Sequence, residues 1–288
     1  MAEIVVEAGN RHGEGVFWNP ADGRVWWTDI EGRRLWWYEP AGRRSGSIAM
    51  DDRVCCFAPR RSGGFICAFA QEFALLDANC RITDRIISFE PENPNSRTND
   101  GRTDRQGRFV VGGMNEVTAA ADSRVVRVDG NGSVSTLIEG VSCANSICFS
   151  PDGRSMFFAD TPQRRIWTYA YDIGNGTAHS PHLLADFSGE PGLPDGSCVD
   201  ADGCVWNAEW EGSRVVRIDA RGHIDRIIDV PVLKPTCCAF GGPDLDTLYI
   251  TSSRMGCTEK QLSEQPLAGA LFAVKPGVRG IEDAPFAG

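Results

Sequence analysis

The chain has 288 residues, 42% hydrophobic and 24% charged, an ordinary balance for a globular protein long enough to bury a large core without staples. Its formal charge of −10 comes from acids interleaved with scattered arginines, which excludes the concentrated basic face that nucleic acid binding needs. No apolar run is long enough to cross a bilayer, and M-A-E-I-V-V-E has neither the basic nor the apolar region of a signal peptide, so the expectation is no membrane and a cytoplasmic location.

A strand over residues 4–6 precedes any repeat and is expected to complete the last unit by pairing with residues 270–274, which would leave no open edge. A turn, an alternating strand, a gap and a second strand then recur along the chain. The copies begin at Asp22-Gly23 (R-V-W-W-T-D, R-L-W-W-Y), Gly63-Gly64 (F-I-C-A-F, F-A-L-L-D) and Gln106-Gly107 (R-F-V-V-G-G, R-V-V-R-V-D). They continue at Asp152-Gly153 (S-M-F-F-A-D, R-I-W-T-Y), Asp202-Gly203 (C-V-W-N-A-E, R-V-V-R-I-D) and residues 244–246 (L-Y-I-T-S, A-L-F-A-V). A spacing of roughly 40–50 residues is the period of a propeller blade. Six units predict an all-β, six-bladed β-propeller, a single domain over residues 1–288, with a central channel where a metal site can be built. The one helical pattern is T-E-K-Q-L-S-E-Q at residues 258–265, with Thr258 as cap and Leu262 facing inward.

Eleven cysteines include the adjacent pairs Cys55-Cys56 and Cys237-Cys238, whose side chains point to opposite faces of a strand. With no C-x-x-C present, they read as small apolar fillers in a reducing compartment. Of the four histidines, His179 and His182 in H-S-P-H read as a surface loop, and His12 stands close to the polar residue Glu14. No G-x-S-x-G elbow is present for a serine nucleophile.

Polar residues stand at four blade entries: Glu14, the R-T-N-D-G of residues 97–101, Asn145 and Asp195. Innermost strands of a propeller run along the channel, so residues at their starts are expected to converge. Two carboxylates and two amide oxygens suit a hard divalent cation and leave positions for water and substrate.

These motifs carry a resemblance. G-E-G-V-F-W at residues 13–18, R-T-N-D-G, N-S-I-C-F-S-P-D-G at 145–153 followed by F-A-D, and P-D-G-S-C-V-D at 194–200 resemble the regucalcin (senescence marker protein)–gluconolactonase–luciferin-regenerating-enzyme family. The late segment K-P-T-C-C-A-F-G-G-P-D-L-D-T-L-Y-I-T-S-S-R fits its bacterial aldonolactonase-like branch. The resemblance implies Glu14, Asn145 and Asp195 as ligands of one divalent ion, Ca²⁺, Mg²⁺, Mn²⁺ or Zn²⁺. It implies Arg97 and Asn99 as substrate-binding residues. The family often has a substrate-binding acid after a G-T-M; here G-G-M-N-E-V puts Glu116 one place early and Val117 at the expected position, and such a shift on a strand reverses the face.

The expected activity is metal-dependent hydrolysis of a small-molecule pentono- or hexono-lactone, with Asp195 as general base and no obligate protein partner. Asp100 is the fallback base. The alternatives are a non-catalytic calcium-binding or scaffold propeller and a metal hydrolase of another ester. Trp210 is a candidate to stack on a sugar ring, and residues 253–267 form the longest irregular insertion.

Overall fold

The computed structural model describes residues 1–288. β-Branched and aromatic residues alternate with polar ones between Gly, Asp and Asn turns, and they build twenty-four strands grouped into six four-stranded sheets. After β1 (Glu3–Val6), the first sheet is β2 (Gly13–Asn19), β3 (Arg24–Asp29), β4 (Arg34–Glu39) and β5 (Arg44–Ala49). The second is β6 (Val54–Pro59), β7 (Phe65–Phe69), β8 (Glu72–Leu76) and β9 (Ile82–Ser88). The third is β10 (Ser96–Thr103), β11 (Phe109–Asn115), β12 (Ser123–Val128) and β13 (Val134–Val141). The fourth is β14 (Ala144–Phe149), β15 (Ser155–Asp160), β16 (Arg165–Asp172) and β17 (Thr177–Asp186). The fifth is β18 (Leu193–Val199), β19 (Val205–Trp210), β20 (Arg214–Ile218) and β21 (Ile224–Asp229). The sixth is β22 (Pro235–Gly241), β23 (Thr247–Ser252) and β24 (Leu271–Val274), completed by β1.

The chain divides into two compact units, residues 1–53 with 185–282 and residues 54–184 with 283–288. The first holds the first, fifth and sixth sheets. Trp206, Val215, Phe240, Ile250 and Phe272 fill the space between its fifth and sixth sheets, with Trp206 and Phe240 edge to face at 5.7 Å. Val16, Trp27, Cys237, Tyr249 and Leu271 do the same between the sixth and first. Strand β1 pairs antiparallel with β24, Ile4 opposite Phe272, as the sequence predicts. Helix α1 (Glu259–Glu264) carries a capping box between Thr258 and Gln261, and Leu262 packs against the core.

The second unit holds the second, third and fourth sheets. Ile66, Phe73, Phe109, Val111 and Val126 pack between its second and third sheets, and Val110, Ile147, Phe149, Phe158 and Tyr171 between its third and fourth. One contact here is unusually tight: a Cβ added at Gly112 of β11 would lie 2.2 Å from the Cβ of Ala144. Gly112→Ala is therefore expected to push β14 outward at a cost of about 1–3 kcal/mol, read as a lower denaturant midpoint at unchanged slope.

All eleven cysteines are free, nine of them buried, as expected of core fillers. His179 and His182 correct the sequence reading, because they lie on the exposed strand β17 rather than in a loop. That strand is the last of its sheet, where Pro181 is tolerated because an outer strand can spare a donor. No helix is long and apolar enough to cross a membrane.

Candidate functional site

The first strand of every sheet is irregular at the same place. Its register with the second strand shifts between Glu14 and Phe17, Val54 and Cys56, Thr98 and Gly101, Asn145 and Cys148, Pro194 and Ser197, and Pro235 and Cys238. A bulge leaves residues out of the ladder and re-aims their side chains. Four of the predicted site residues, Glu14, Asn99, Asn145 and Asp195, stand at these bulges. Gly15 and Ser146, which follow Glu14 and Asn145, both take left-handed backbone, with φ of 58° and 59°. Ser146 is fully buried in that conformation, a strain that only a well-determined surrounding structure sustains.

In the second unit the structure joins four predicted residues into one network. Arg97, 4% exposed, donates from Nε to Glu116 Oε2 at 3.1 Å and from Nη1 to Asn99 Oδ1 at 2.8 Å. Asn99 in turn donates from Nδ2 to Asn145 Oδ1 at 3.3 Å and to the Ala144 carbonyl at 3.0 Å. Asn145 Nδ2 donates to Thr161 Oγ1 at 2.8 Å, which orients the amide. Glu116 lies just past the end of β11, so strand alternation does not govern it, and Val117 is 68% exposed. Asp100 points elsewhere: its oxygens accept from the peptide N–H groups of Gly101 and Ile147, both at 2.8 Å. Burial pushes its carboxyl above the ordinary carboxylate range, and both oxygens serve the backbone, so it makes a structural acid.

In the first unit Glu14 is half-buried and accepts from the Gly15 N–H at 3.0 Å. Asp195 is 5% exposed. The Asp195 carbonyl is held by Asn207 Nδ2 at 2.8 Å, and a Cβ at the following Gly196 would meet Cys237 Sγ at 2.6 Å, so the bulge is confined on two sides. Buried His12 accepts or donates at Nδ1 with Ser253 Oγ at 3.0 Å and meets Trp210 edge-on at 5.7 Å. Lys234 Nζ sits 4.5 Å above the Trp210 ring and donates to the Met255 carbonyl at 2.8 Å. One face of that indole is thus already occupied by a buried cation. A cleft of about 310 Å³ in this unit is lined by Arg11, Glu31, Arg254, Met255 and Gly256, none of them a predicted site residue.

Glu14 and Asp195 offer carboxylate oxygens and Asn145 an amide oxygen, and these donors fit a hard divalent cation. Sequence reading missed Thr161, whose only signal was its place after F-A-D, and Lys234, which reads as a surface lysine.

The model of the SMP-30/gluconolactonase/LRE-like region matches residues 12–254. The chain belongs to that family. It is 34% identical over 277 residues to 6-deoxy-6-sulfogluconolactonase of Pseudomonas putida, covering 96% of this chain and 95% of that protein. It is 35% identical over 294 residues to L-arabinolactonase of Azospirillum brasilense, covering 100% and 96%. Among solved structures, a protein described as calcium-binding, regucalcin from Agrobacterium tumefaciens, superposes with a TM-score of 0.94 at 30% identity, covering 100% of this chain and 97% of that one. The six sheets are accordingly the blades of a six-bladed β-propeller, the fold of this family.

Proposed function

We propose that this member of the family hydrolyses a pentono- or hexono-lactone to its aldonic acid, as one propeller domain over residues 1–288 using one divalent ion. The observation that carries the reading is that Glu14, Asn99, Asn145 and Asp195 occupy the same bulge in four separate sheets. The names of the Pseudomonas and Azospirillum relatives support the substrate class.

Glu14, Asn145 and Asp195 are the proposed ligands. A divalent cation, when bound, polarises an ester carbonyl and makes a nearby water more acidic. Asp195 takes a proton from the attacking water at a carboxylate oxygen. Water oxygen bonds to the carbonyl carbon, the ring C–O bond breaks, and the ring oxygen leaves as a hydroxyl on gaining the proton that Asp195 took, which restores the carboxylate. Arg97 binds the substrate: Glu116 and Asn99 hold its Nε and Nη1, which leaves Nη2 to donate to a lactone or hydroxyl oxygen. Asn99 lies against Asn145 and sets the distance between the guanidinium and that ligand.

Chelator-treated protein is expected to release no protons from a panel of pentono- and hexono-1,4-lactones until Mg²⁺, Mn²⁺, Ca²⁺ or Zn²⁺ is restored. Turnover of no lactone with any ion would overturn the proposal. The description of the Agrobacterium relative favours one second reading, a non-catalytic calcium-binding propeller, which predicts Ca²⁺ binding with no turnover.

A further inference from the structure

We infer that Asp29, Asp160 and Glu209 are positioning residues for the proposed metal ligands, an inference that rests on the ligand set just given. All three lie at or next to the end of the second strand of their sheet and are 5%, 1% and 0% exposed. The register places each opposite the residue immediately before a proposed ligand: Asp29 faces Gly13, Asp160 faces Ala144, and Glu209 faces Pro194. Glu14, Asn145 and Asp195 are the next residues along.

The two aspartates make matching pairs of contacts with the segment ahead of the ligand, and Glu209 makes one contact of the same kind. Asp29 accepts from the peptide N–H groups of His12 at 2.9 Å and Arg11 at 3.1 Å, and it closes its own turn by accepting from Gly32 at 3.0 Å. Asp160 accepts from the N–H groups of Cys143 at 2.9 Å and Ser142 at 3.3 Å, and from Gln163 Nε2 at 2.9 Å. Glu209 accepts from the Gly192 N–H at 3.3 Å and from both Nε and Nη2 of Arg214 at 3.0 Å. In each case a buried carboxylate ties down the segment that leads into the bulge, two or three residues ahead of the ligand. In the fourth sheet the neighbouring Thr161 also fixes the ligand's amide, so backbone and side chain are set from one strand end.

The other three sheets supply the comparison. Their residues at the same register position are Phe69 opposite Val54, Gly113 opposite Thr98, and Ser252 opposite Pro235. If the fold itself required an acid to anchor this segment, all six sheets would carry one. The acid occurs only where the next residue of the first strand is a proposed ligand. A buried carboxylate is costly unless it is fully hydrogen-bonded, and placing a ligand's backbone to within a fraction of an ångström is a use that repays that cost.

The test is calorimetric titration of the chelator-treated full chain with Ca²⁺ and, separately, Zn²⁺, together with its melting temperature. Asp29→Asn and Asp160→Asn remove one acceptor oxygen and introduce N–H groups facing N–H groups. Support of this kind is worth about 10–100-fold in metal affinity, and that weakening is the expected result. Ser252→Ala, at the same register position in a sheet without a ligand, loses its bond to the Ala270 carbonyl and serves as the structural control, with affinity expected within about twofold of the unsubstituted chain. If an amide variant does not fold, Asp160→Ser keeps one acceptor and is expected to show the same weakening. Folded aspartate variants that bind both ions as tightly as the unsubstituted chain, or a Ser252→Ala variant weakened as much as they are, would overturn the positioning role alone. An unsubstituted chain that binds neither ion would overturn the ligand set, and the positioning role with it.

Discussion

Asp195→Asn is expected to lower kcat for lactone opening by about 10³-fold, the middle of the range for removing a positioned general base, with little change in KM. The substitution is close to isosteric, and the features that fix the position survive it. The Asn207 amide still holds the residue 195 carbonyl, and Gly196 still fits against Cys237. What disappears is the capacity of the side chain to take a proton from water. Asp195→Ala removes the oxygen donor as well, so it is expected to lose metal affinity in addition to turnover. Proton release at saturating lactone, measured with each variant at its own saturating metal concentration, separates the two losses. Retention of more than about a tenth of kcat in the asparagine variant would exclude Asp195 as the base.

The second and third strands of each blade were legible as short β-branched and aromatic runs between turn residues; R-V-W-W-T-D becomes β3, and R-L-W-W-Y becomes β4 with Glu39 added. First strands were legible only through their polar residues. The bulge sets extra residues against the partner strand, so the period of two breaks in G-E-G-V-F-W and in A-N-S-I-C-F. Outer strands were the hardest. β17 reads T-A-H-S-P-H-L-L-A-D, polar and proline-containing, because it has little to bury.

The candidate site divides along similar lines. Glu14, Asn145 and Asp195 stand out as polar residues just ahead of apolar strands. The network around Arg97 was partly visible, since R-T-N-D-G places Arg97 and Asn99 two apart on one strand, but the reach of Asn99 to Asn145 crosses 46 residues. The role of the acids behind the proposed ligands was not legible. T-D, A-D and A-E at strand ends look like the beginnings of turns, and Asp29 does serve Gly32 in that way. Its other partners, His12, Arg11 and Asn10, lie 17, 18 and 19 residues upstream, and only the register reveals them.

The largest stability effect is expected at Asp200, which closes the P-D-G-S-C-V-D motif and opens a D-A-D-G turn. It is fully buried, and its two oxygens accept four hydrogen bonds: Oδ1 from the N–H groups of Asp202 and Cys204, both at 3.0 Å, and Oδ2 from Trp206 Nε1 at 2.9 Å and Arg217 Nε at 2.7 Å. Asp200→Ala leaves the indole N–H of a fully buried tryptophan unpaired and takes from Arg217 its one buried counterion. Arg217 keeps Asp202 and Asp225, but these are 67% and 39% exposed and shared with water. Removing one member of such a buried set costs about 3–5 kcal/mol, and in a chain of this size that lowers the melting temperature by roughly 10 °C. The pair Lys275–Asp246 has the same kind of contact at 2.8 Å on the surface, and Lys275→Ala is expected to cost under about 1 kcal/mol. The contrast tests the physical claim, because distance is nearly equal in the two pairs and burial is not. Equal losses at the two positions, measured by thermal unfolding of both variants side by side, would mean that the Asp200 cluster is solvated in the folded protein and that its four hydrogen bonds are exchanged for water at little cost.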